Sequence, residues 1–409
     1  MKFKSMFTIY AAVLGLCVGL VSGAFLTLVN LLSQLLWHTV PASFDLPVYY
    51  PIIFGLIGGI LVGLFQIYVG DYPKTMEDTM EEFKATKAVK YEKKLAKNFF
   101  GAVLVLSFGA SLGPEAALAC ILGGLVTWVG DHLKFTFARR EEFLKLGIGA
   151  MLATIFNAPL AGISEPLEEE YTSKTRRLKW KKLVLYALTT AFGLVGFSLV
   201  EQLVPKETIF KIRIPVIDWT PQAFLLAIPA LLVGIAFGCL FLVLETFSDK
   251  LAEKIQRPLL LAVLAGLLLG SLAMISPYFL FSGEHDLLPL SESYQQMTAD
   301  FLLFLAVGKI FLTNLSFAFG WRGGKIFPAI FASAAIGFAF VTLFPYTPGL
   351  LTAIIVAASV TVILKQAIVT ASLLLLLFPL QFFPAILLAC FIAQKFSAFW
   401  TKAPPEKSV

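Results

Sequence analysis

The sequence predicts an all-α polytopic membrane protein, and three observations carry that expectation. Of 409 residues, 58% are hydrophobic and only 14% charged, against roughly 25% charged in soluble chains. Mean hydropathy is +0.84. Nine stretches of 17 residues or more lack Asp, Glu, Lys and Arg: 5–44, 46–70, 98–114, 146–164, 183–200, 219–244, 258–283, 326–364 and 366–394, together 239 residues. Little chain is left for a soluble catalytic domain.

A hydrocarbon core about 30 Å thick takes roughly 20 apolar residues per helix. Several stretches therefore span once, while 5–44 and 326–364 have the length for more than one helix. Lys2 and Lys4 precede the first stretch, but it outruns a signal-peptide core of about 7–15 residues and reads as a retained span. Residues 71–97 alternate acids and lysines (Glu77, Asp78, Glu81, Glu82, Lys84, Lys87, Lys90), the pattern of a surface amphipathic helix. The polar stretch Pro205–Pro221, with three prolines, divides the chain into 1–204 and 222–400. A tail, 401–409, is too short for a regulatory domain.

Seven lysines lie between Lys74 and Lys97, and basic clusters follow at Arg139, Arg140 and Lys145 and from Lys174 to Lys182. The positive-inside rule puts these segments and both termini in the cytoplasm of a cell-membrane protein. Segments 37–51 and 276–301 contain no Lys or Arg and are expected outside. The formal charge of +6 thus reflects topology. No basic face with stacking aromatics suggests a nucleic-acid partner.

Cys17, Cys120, Cys239 and Cys390 are isolated in apolar stretches, and His38, His132 and His285 lack metal-ligand spacing. No nucleophile, base or metal constellation points to an enzyme. No cofactor is implied.

The two halves share a pattern. Lys97 precedes Gly109 by twelve residues and Lys309 precedes Gly320 by eleven; Gly123 follows Pro114 by nine and Gly337 follows Pro328 by nine. Paired breaks of this kind mark transporters built from two repeats, with the site where the broken helices meet. A Gly-Pro break inside a membrane frees amides that something other than lipid must satisfy. Pro114 and Pro328 suit the first turn of a helix, so two N-termini converging there form an amide-lined cup for an anion. The plain alternative is a packing kink between close helices.

Leu112-Gly113-Pro114-Glu115, then Asn157-Ala158-Pro159-Leu160-Ala161-Gly162 with Glu168-Glu169, then Gly323-Gly324-Lys325-Ile326-Phe327-Pro328 resemble the three central signatures of the CLC chloride channels and proton-coupled antiporters. Ser282-Gly283 looks like that family's Ser/Gly-rich turn. The likeness runs in order from about residue 55 to 395. It implies an inverted repeat of tilted and discontinuous helices, a prokaryotic-type chain without C-terminal regulatory domains, and a homodimer with one anion path per subunit. The anion-binding positions it implies are Gly113, Pro114, Glu115, Gly324, Lys325 and Ile326.

The departures are specific. Gly70-Asp71-Tyr72-Pro73 stands where the family has a serine that touches the central anion. The family's gating glutamate position falls on Leu112, and Glu115 lies three residues further on. No tyrosine follows Tyr346 to act as the pore tyrosine. Leu112 and Glu115 are therefore both gate candidates. Glu115, between uncharged stretches, is a functional candidate by default, with helix capping as its plain role. Arg322 and Lys325 either draw an anion inward, neutralise Glu115, or snorkel to an interface. Glu168 and Glu169 form a candidate proton path, Glu169 being the internal acceptor that the resemblance implies; a solvated ion-pair cluster with Lys174, Arg176 and Arg177 is the alternative. Glu165-Pro166 has no assigned role. The sequence reading is passive, channel-like movement of chloride or a similar small anion. Proton-coupled antiport and a non-transporting scaffold of the same fold stand as rivals.

Overall fold

A computed structural model of the protein describes residues 2–74, 91–132, 137–172, 180–203, 220–375 and 377–400. The bulk of the amphipathic segment 71–97, the basic loop after residue 172, most of the linker 205–221 and the tail 401–409 lie outside the described residues. Among those described, the chain is helical apart from turns and one isolated antiparallel bridge.

The first half begins with α1 (Lys2–Gln34), which runs on through a π turn, Leu35–Thr39, to Ser43. The 5–44 stretch thus forms one long helix where its length allowed two. Its glycines serve close packing instead of a break: Gly15 and Gly19 lie against the backbone of Thr189 and Gly193, letting α1 approach α7 as small residues do in membranes. Then come α2 (Tyr50–Tyr68), α3 (Tyr91–Ser107), α4 (Glu115–His132), α5 (Phe137–Ile155), α6 (Ala161–Thr172) and α7 (Trp180–Glu201). The second half holds α8 (Pro221–Ile255), α9 (Pro258–Ile275), α10 (Leu287–Ser293), α11 (Ala299–Ala318), α12 (Ile326–Leu343), α13 (Pro348–Leu364), α14 (Ala367–Leu374) and α15 (Phe383–Trp400). The first helix of this half begins at Pro221. Prolines open α2, α8, α9 and α13, where the missing N–H leaves nothing unsatisfied.

Eight described helices are long and apolar enough to cross a membrane. Apolar helices Leu95–Ser107, Glu115–Trp128 and Pro348–Leu364 are shorter. The 35-residue α8 is about 52 Å long at 1.5 Å per residue, longer than a hydrocarbon core of about 30 Å, and its last third, from Glu245, is charged. The 326–364 stretch divides into α12 and α13, as its length suggested, and both are buried along most of their length. The order of α3 to α7 recurs in α11 to α15: each series passes through a glycine-rich break and a helix that begins beside it. Both breaks come to the centre.

Candidate functional site

Each break opens with glycine at positive φ just past a helix end, Gly109 (φ +80°) after α3 and Gly320 (φ +94°) after α11. Left-handed backbone there ends the helix at little steric cost. The chain then runs extended into Gly113 and Gly324, which exchange two hydrogen bonds: each N–H donates to the other's carbonyl at 2.7 Å. Thr313 Oγ1 donates to the Ser111 carbonyl at 3.0 Å beside them. The amides of Gly113 and Gly324 are therefore committed to each other, not open to an anion as the sequence suggested.

Immediately beyond, α4 and α12 begin. The amides of Glu115, Ala116 and Ala117 and those of Ile326 and Phe327 have no acceptor within their helices. Glu115 fills the space between. Its Oε1 accepts from the Ile326 N–H at 2.8 Å, while Oε2 has no hydrogen-bond partner. The residue is 4% exposed. A Cβ at Gly113 or Gly324 would overlap this carboxyl group, so both glycines are required for it to lie there. A carboxylate therefore occupies the amide cup in the way an anion would, supplied by one half of the chain to the helix end of the other.

Pro114 directly precedes α4, and Pro328 lies in the first turn of α12. Phe156, just before Asn157-Ala158-Pro159-Leu160-Ala161-Gly162, stacks on Phe327 with ring centroids 4.0 Å apart. That six-residue signature thus borders the cup. Leu112 is buried and, with Pro114, lines a cavity of about 390 Å³ that also reaches His38, Glu284, His285 and Asp286.

The two basic residues expected near Glu115 turn elsewhere. Arg322 grips Asp71 through Nε (2.6 Å) and Nη2 (2.9 Å), and Lys325 Nζ meets Glu245 Oε1 at 2.5 Å. Both cations also lie over Phe317, at 4.5 and 4.0 Å from the ring centroid. A half-buried cation is costly without a counter-charge, and these acids supply it. Neither cation neutralises Glu115. The Gly70-Asp71-Tyr72-Pro73 turn, which lacks the family's serine, contributes this carboxylate instead.

Glu168 is buried and holds the start of α14: Oε2 accepts from the Ile368 N–H (2.6 Å) and Oε1 from Gln394 Nε2 (2.6 Å). Glu169 belongs to α6, but its side chain lies outside the described residues. Sequence reasoning missed Lys309 and Glu284. Lys309 served only as a landmark of the repeat, yet it is fully buried and donates to the carbonyls of Tyr278, Phe279, Leu280 and Phe281. Its signal was present, an ionisable residue within an apolar helix.

Comparison with known proteins agrees with this architecture. The family described as voltage-gated chloride channel matches residues 74–398. "Putative ion-transport protein YfeO" of Salmonella paratyphi A is 25% identical over 338 residues, 80% of this chain and 78% of that protein; its namesake in Salmonella typhimurium matches to the same extent. Two solved structures share the fold: a slow cyanobacterial Cl⁻/H⁺ antiporter, with TM-score 0.74, 20% identity and coverage of 98% and 95% of the two chains, and a CLC-type fluoride/proton antiporter, with TM-score 0.75, 19% identity and coverage of 96% and 95%. With the paired breaks, the converging helix ends and the ordered signatures, these matches establish that the chain belongs to the CLC family of voltage-gated chloride channels and related anion transporters.

Proposed function

We propose that the protein passes chloride or a similar small anion across the membrane passively, through the cup that Glu115 fills, and that protonation of Glu115 opens it. One observation carries this reading: the Glu115 carboxylate accepts the Ile326 N–H at the start of α12, the kind of helix terminus that holds anions. A bound carboxylate and a permeant anion compete for the same donors. The Glu115, Lys325 and Ile326 amides are the anion contacts of this reading, with Gly113, Pro114 and Gly324 shaping the cup. Leu112 is the apolar wall where the family has its glutamate.

Proton-coupled antiport is the second reading, favoured by the antiporters among the solved neighbours. Coupling needs a second acid on the other side of the cup. Glu169 takes that role by resemblance, whereas both Glu168 oxygens already accept hydrogen bonds. Reconstitution with simultaneous chloride and pH electrodes separates the cases. Chloride efflux without proton movement is the expected result. Matched proton movement overturns the passive mechanism in favour of antiport, and no flux from correctly folded protein leaves a membrane scaffold.

In this reading, by the positive-inside rule, both termini lie inside and 276–300 outside. A cysteine introduced at position 286 is then labelled from outside intact cells; labelling only from inside overturns the orientation. The family resemblance makes the working unit a homodimer with separate paths, and the solubilised particle should have the mass of two chains.

A further inference from the structure

The cavity beside Leu112 and Pro114 contains a carboxylate with no structural task that accounts for it. Glu284 has a side chain only 9% exposed, with Oε1 3.3 Å from His285 Nε2. Its Oε2 has no hydrogen-bond partner. Leaving a buried carboxylate oxygen unpaired is costly, and such a group calls for an explanation. His285 is 38% exposed at the side chain, so it links Glu284 to solution. Glu115, by contrast, is almost fully covered, and its chain neighbour Pro114 lines the same cavity as Glu284.

From these contacts we infer that Glu284 carries protons between the cavity and Glu115, with His285 as its exchange partner at the water-facing end. This relay rests on the reading of Glu115 as the residue that opens the cup. Protonated His285 donates its Nε2 proton to the Glu284 carboxylate; the neutral Glu284 acid then yields a proton to Glu115, and the reverse sequence returns it. No other reactant is needed.

The groups facing Glu284 fit this task. On its own loop, the Ser282 hydroxyl accepts its N–H at 3.4 Å, and Asp286 lines the same cavity. Burial raises the Asp286 carboxyl above its ordinary range, with the Lys309 ammonium of α11 pulling the other way. Asn30, Ser33 and Gln34 come from α1 and His38 from its extension. From α3 and the first break come only Leu106, Ala110, Leu112 and Pro114, none of which titrates. Glu284 is thus the acid in contact with His285, in a cavity whose wall includes Pro114, the residue before Glu115.

The experiment is a pH jump on proteoliposomes of the full chain, following how fast chloride efflux rises after acidification. Wild type, Glu284→Gln, Glu284→Asp and Glu115→Gln are compared, each first shown to be monodisperse with a cooperative melt. Glu284→Gln is expected to slow the rise by about ten-fold or more, on the scale of a lost proton-transfer group, while Glu284→Asp, which keeps a carboxyl group, recovers most of the rate. A wild-type rate in Glu284→Gln overturns the relay, as does an equally slow rise in both variants, which indicates a geometric role. Failure of the underlying reading shows separately: Glu115→Gln would then keep the native pH response whatever Glu284 does.

Discussion

Replacing Glu115 with glutamine should hold chloride efflux near its open level across about pH 4.5 to 7.5, a range in which native flux should rise as pH falls. The ionised carboxylate accepts the Ile326 N–H through a charge-assisted bond roughly twice as strong as a neutral one. Protonation removes that advantage, and a permeant anion then competes for the amides. Glutamine is neutral at every pH and cannot reproduce the block. Leu112→Glu should do the opposite, adding a carboxylate to the cavity wall, so that flux falls at neutral pH and recovers in acid. Were Glu115 only a helix cap, the glutamine variant would lose about 0.3–1 kcal/mol of stability with the native pH profile intact. Efflux measured across the range for both variants decides.

Lys309→Met should produce a large loss of stability, roughly 3–5 kcal/mol, because several buried carbonyls lose their donor at once. The ammonium donates to four successive carbonyls, at 2.9 Å to Tyr278, 3.3 Å to Phe279, 2.9 Å to Leu280 and 2.7 Å to Phe281, and lies 5.2 Å from the Phe331 ring centroid. Methionine matches the stem but leaves those carbonyls without their donor, each costing about 1–3 kcal/mol if unmet. The same bend leads into Ser282, Gly283 and Glu284, so the cavity should loosen with it. Thermal unfolding in detergent measures the change; an unaltered melting temperature would mean that water replaces the ammonium at no cost.

Much of this molecule was legible from residue order. Uncharged stretches marked the spans, because transfer to hydrocarbon depends on local composition. Gly109-to-Pro114 and Gly320-to-Pro328 marked the breaks, because glycine and proline act on the backbone where they stand. The central anion-like position of Glu115 was also within reach, since an isolated acid between apolar stretches asks for a partner.

The partners themselves were not. Glu115 meets Ile326 across 211 residues, Arg322 meets Asp71 across 251 and Glu168 meets Ile368 across 200. Arg322 and Lys325 looked like cations for an anion path, yet Asp71 and Glu245 claim them. Local sequence sets hydropathy and backbone freedom, whereas the pairing of a buried charge depends on which distant helix arrives beside it. That choice is made only when the two halves pack together, and it decides which carboxylate fills the cup and which cations are left to face an anion.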